Sequence, residues 1–129
     1  MGRGCRSVSC TPTADVWIVS GCWDDGRVAT LHAIRSLPLD SRDYAIARFD
    51  AGRAACHAGA GDYGPLLAAI VDFIREGRPP VSVRDTLEIY AFLEAAVQSG
   101  RDGGREVAPR DVLEQAACPA DWLPAPARA

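Results

Sequence analysis

The chain has 129 residues, 48% of them hydrophobic, and a formal charge of −3. That length fits one domain with a buried core and leaves little room for two. All fourteen basic residues are arginines, spread singly among acidic residues, which argues against a nucleic-acid surface. No apolar run approaches the length of a membrane span.

The first fourteen residues, rich in Gly, Arg, Ser, Cys and Thr, show no periodicity and read as an irregular arm. The start MGRGCRSVSC is basic but leads into no apolar stretch, so it is not a secretory signal. Arg6 stands where a myristoylation site after Gly2 needs Ser or Thr. The cytoplasm is therefore the expected compartment. Five cysteines, Cys5, Cys10, Cys22, Cys56 and Cys118, are odd in number and irregularly spaced, unlike a disulfide framework.

From Asp15 the pattern changes. VWIVSGCW, Val16 to Trp23, is β-branched and aromatic and predicts a strand. Asp24-Asp25-Gly26 predicts a turn, with Gly26 free to take positive φ. Arg27 to Arg35 alternates, with Val28, Thr30, His32 and Ile34 on one face and Ala29, Leu31 and Ala33 on the other, completing a hairpin. Ser36 to Arg42, with Pro38, reads as a loop. Asp43 to Asp50 alternates again, Ala51 to Arg53 is a turn, Ala54 to Ala58 a return strand, and Gly59 to Gly61 a break.

Two helices follow. Pro65 opens the first, which carries Leu66, Leu67, Ile70, Val71 and Ile74 at helical spacing and Phe73 at the edge; Gly77 and Pro79-Pro80 end it at Glu76. Ser82, with Asp85 three residues on, predicts a capped start for the second helix, from Val83 to Ser99. Its buried surface comes from Leu87, Ile89, Tyr90, Phe92, Leu93, Ala96 and Val97. A short strand at Arg105 to Ala108 and a turn or two of helix from Asp111 to Ala117 are expected before a proline-rich tail. Strands first and helices after predict an α+β fold, a mostly antiparallel sheet with two helices packed on one face. The expected boundaries are an arm at 1–14, the domain at 15–108 and a tail at 109–129.

The stretch from Asp62 to Val107 carries Tyr63, Leu66, Leu67, Phe73, Gly77, Pro79, Pro80, Thr86, Leu87, Glu88, Phe92, Glu94, Ala95, Ala96, Ser99, Gly103 and Gly104 in a recognisable order. It resembles the closing segment of the glucose-fructose oxidoreductase and inositol dehydrogenase (Gfo/Idh/MocA) family, and the strand DDGRVATLHAIR resembles the sheet of the same domain. The resemblance covers roughly residues 13 to 108. It implies the C-terminal domain of an NAD(P)-dependent sugar or polyol oxidoreductase. In that domain the sheet walls the substrate cleft and commonly forms the dimer interface.

The resemblance also implies a missing half. Hydride transfer needs a nicotinamide held by a glycine-rich turn between a strand and a helix N-terminus, and no such Rossmann motif occurs here. The family's catalytic lysine has no counterpart, because the chain contains no lysine. Neither His32 nor His57 has an aspartate four residues ahead, so no catalytic, cofactor or metal residue carries over. Cys56 and His57, adjacent on a strand, point to opposite faces and do not form a nucleophile pair. Cys22, His32 and His57 lack the paired spacing of a zinc site.

The remaining candidates for the substrate side or an interface are Trp17, Trp23 and His32. The two tryptophans read chiefly as packing or interface residues, and His32 as a core or interface residue. The expected function is a substrate-side and oligomerisation domain, a truncated member without catalysis or cofactor of its own. Its expected partner is another copy through the sheet face, or a separate Rossmann-domain chain. A free-standing self-associating module and a gene remnant are the alternatives.

Overall fold

The computed structural model describes residues 3–35, 45–50, 53–58 and 63–116. Val8 and Cys10 are completely buried, and the alternation that buries them belongs to a strand, β1 (Cys5–Pro12). This corrects the reading of residues 1–14 as an irregular arm. The period of two is present in CRSVSCTP, but its inward set is small and its outward set is Ser7, Ser9 and Thr11. Such a strand has little hydrophobic contrast of its own and is defined by its partner.

That partner is β2 (Val16–Trp23), which has the boundaries predicted and pairs antiparallel with β1, Val8 opposite Gly21 and Cys10 opposite Val19. Thr13 shapes the link: its hydroxyl donates to the Val16 carbonyl at 2.8 Å and accepts from the Val16 amide at 3.0 Å. The predicted hairpin is also present. Gly26 turns the chain at φ 84°, and β3 (Val28–Ile34) pairs antiparallel with β2. The resulting sheet has the order β1-β2-β3.

The chain divides into two compact units, Met1–Ser36 with Val81–Ala129, and Leu37–Pro80. The segment 15–108 expected as one domain spans parts of both units. In the second unit, β4 (Ala45–Asp50) and β5 (Arg53–Ala58) form an antiparallel ribbon, followed by α1 (Gly64–Glu76). Gly77 ends α1 at φ 68°, its amide donating to the Phe73 carbonyl at 2.8 Å. The predicted apolar stripe of α1, from Leu66 to Ile74, is exposed. The loop after Ser36, the glycines at 59–61 and the tail from 117 lie outside the described residues.

In the first unit, α2 (Val83–Arg101) lies against the sheet. Its buried face is Ala91, Phe92, Ala95, Ala96 and Ser99, whereas Ile89, Tyr90 and Leu93 are exposed. The sequence overstated the apolar stripe by including those three, since the large residues of α2 do not all share one side. Phe92 stacks on Trp23, ring centroids 6.1 Å apart and planes inclined by 23°. After α2, Gly103 and Gly104 take φ of 71° and 90° and return the chain to β1, where Val107 exchanges two hydrogen bonds with Val8, each 2.9 Å. The short terminal strand expected here is this single bridge.

A third helix, α3 (Pro109–Gln115), buries Pro109, Val112 and Leu113. The segment 109–129 thus begins as part of the core, which corrects its reading as a tail. The coarse fold is α+β, with a three-stranded antiparallel sheet covered on one face by helix.

The tightest approach in this core is at Gly21, where an added Cβ would lie 2.6 Å from the Phe92 ring and 3.0 Å from the Trp23 ring. Gly21→Ala is expected to destabilise the chain by about 1–3 kcal/mol, an overpacking cost, read as a lower urea midpoint. Ser99, fully buried, accepts the Cys10 amide at 2.8 Å. Ser99→Ala leaves that amide unmet and is expected to cost about 1–3 kcal/mol in the same measurement.

Candidate functional site

Trp17, Trp23 and His32 do not converge. Trp17 and Trp23 lie on the same face of β2 six residues apart, about 20 Å at roughly 3.3 Å per residue. Trp23 is 4% exposed, sandwiched between Phe92 and the Arg27 guanidinium, which sits 5.5 Å from its ring centroid. Asp25 holds Arg27 in place through its carboxylate at 2.7 Å. Trp17 is half-buried against the far end of the core. Both tryptophans pack against the core of this unit.

His32 is exposed, which removes the core half of the core-or-interface expectation. It stands opposite Ile18 on the side of the sheet away from α2. Alternation grouped it correctly with Val28, Thr30 and Ile34, but that apolar-looking set faces outward. The inward set, Ala29, Leu31 and Ala33, is small apart from Leu31.

The outward face of the sheet is the most extensive candidate surface. Its rows run across the strands: Thr11, Ile18 and His32; Ser9, Ser20 and Thr30; Ser7, Cys22 and Val28; and Val16 with Ile34. A band of small hydroxyls is thus bordered by aliphatic side chains, with one imidazole and no carboxylate among them. Ile18, Val28 and Ile34 are 37%, 68% and 49% exposed. Cys22 and His32 lie in different rows, separated by the Ser20 row, and no metal-ligating cluster of three occurs among the described residues. On β5, Cys56 and His57 are opposite Ala47 and Ile46.

A polar cluster marks the other side of the unit, at the start of α2. The Ser82 hydroxyl accepts the Asp85 amide at 3.1 Å and donates to the Asp85 carboxylate at 2.6 Å. Arg3 reaches the same carboxylate, its Nη2 at 3.0 Å from Oδ2. Glu88 accepts the Gly4 amide at 3.0 Å, and Arg84 lies 3.7 Å from the other carboxylate oxygen. The cluster fastens the entry to β1 onto α2. Hydrogen bonding to Arg3, then to Ser82, holds the Asp85 carboxyl well below its usual range.

Cys5 and Cys10 are poor nucleophiles. Burial pushes the Cys5 thiol up to about 11, with the neighbouring Cys22 adding to the effect, and burial also raises Cys10. A thiol so shifted is almost wholly protonated at neutral pH.

One feature escaped the sequence reading. Between α2 and α3 lies an open apolar groove of about 320 Å³, lined by Leu87, Tyr90, Leu93, Val97, Val112 and Leu113 among others. The signal was present in Pro109 followed by Val112 and Leu113, at first-turn and helical spacing.

The lowered Asp85 group sets a pH dependence. Its stabilising effect is complete above its ordinary value of about 3.9 and fades as the pH falls towards the depressed folded value. Asp85→Asn is expected to flatten the loss of melting temperature on acidification below about pH 4, relative to the unsubstituted chain. For Cys5 the sign is opposite: the contribution is complete below 9.0 and is lost as the pH rises towards about 11. Iodoacetamide at mildly alkaline pH is expected to modify Cys5 and Cys10 at least tenfold more slowly in the folded chain than in urea, as read by peptide mass spectrometry; equal rates would contradict their burial.

No family model matches this chain, and neither a curated protein nor a solved structure does so.

Proposed function

We propose that this chain is the substrate-side and oligomerisation part of an NAD(P)-dependent sugar or polyol oxidoreductase, with no dehydrogenase chemistry of its own. The sequence resemblance over Asp62 to Val107 motivates the family. The observation that supports the role is the two-faced sheet, with α2 on one side and a broad hydroxyl-and-aliphatic surface on the other.

The start of α2 lacks the features of a dinucleotide site, in line with this reading. Pyrophosphate is held where backbone amides at a helix start meet a glycine-rich turn. At α2 the preceding residues are Pro79, Pro80 and Val81, the Ser82 hydroxyl is engaged by Asp85, and Asp85 and Glu88 place negative charge beside the first turn. A phosphate there would be repelled. The nicotinamide, on this reading, is held by a separate Rossmann domain, and no step of hydride transfer is assigned to any residue here.

A second reading is a self-associating module without oxidoreductase partnership. The exposed apolar stripe of α1 and the outward sheet face favour it. No helix of the described residues is long and apolar enough to cross a membrane, so these surfaces are not explained by a spanning helix.

Sedimentation equilibrium at micromolar concentration is expected to give a dimer, with Ile18→Asp shifting it towards monomer. Calorimetry with NADH and NADPH is expected to show no saturable binding. A monomer at all concentrations would overturn the oligomerisation role, and micromolar binding of either nucleotide would overturn the division of labour. A co-purified Rossmann domain of a sugar dehydrogenase that gains activity with this chain would favour the first reading over the second; no gain would favour the second.

A further inference from the structure

We draw no further inference here: the strongest candidate, the open apolar groove between α2 and α3 with Tyr90, Leu93 and Val97 on its wall, carries nothing because nothing in the structure shows what covers it.

Discussion

Strand β1 is at the edge of its sheet, and the backbone groups on its outer side have to be met by something other than another strand. The Val8 amide and carbonyl are met by Val107, and the Cys10 amide by the Ser99 hydroxyl. A buried amide left without a partner costs as much as several favourable contacts return. The rest of the unit is arranged around this need. The helix that carries Ser99 must lie close over β1, and the chain after it must turn back within a few residues, which Gly103 and Gly104 permit.

Close approach dictates small residues. Ala91, Ala95 and Ala96 on the helix, with Gly21 on β2, bring α2 down onto the sheet, while Phe92 and Trp23 fill the space at one end. At the other end of α2 the coupling is polar: Asp85 and Glu88 hold Arg3 and Gly4 at the entry to β1. The helix thus grips β1 along its length, by ion pair at one end and by a buried hydroxyl at the other.

This one-sided grip leaves the other side of the sheet to make contacts of a different kind. Hydroxyl groups at Ser9, Ser20 and Thr30 keep the uncovered surface compatible with water, and the bordering Ile18, Val28 and Ile34 add exposed apolar area. That balance resembles an interface that forms and also tolerates solvent.

The sequence by itself determined the local elements whose signals are short-range. The β2 strand, the Gly26 turn, the Pro65 start and Gly77 end of α1, and the Ser82 cap of α2 all follow from residue type and spacing. It also grouped His32 with the correct neighbours. Only the tertiary structure decided which group faces the core, because alternation gives two faces without saying which one a helix will cover. Nor could spacing identify β1, whose inward residues are a valine and a cysteine among serines; its strand character comes from bonds to the neighbouring β2 and to Val107 and Ser99, which are distant in the chain. The role of α3 was hidden for the same reason. A seven-residue helix has too few turns to declare a buried side until α2 and β1 are there to pack against it.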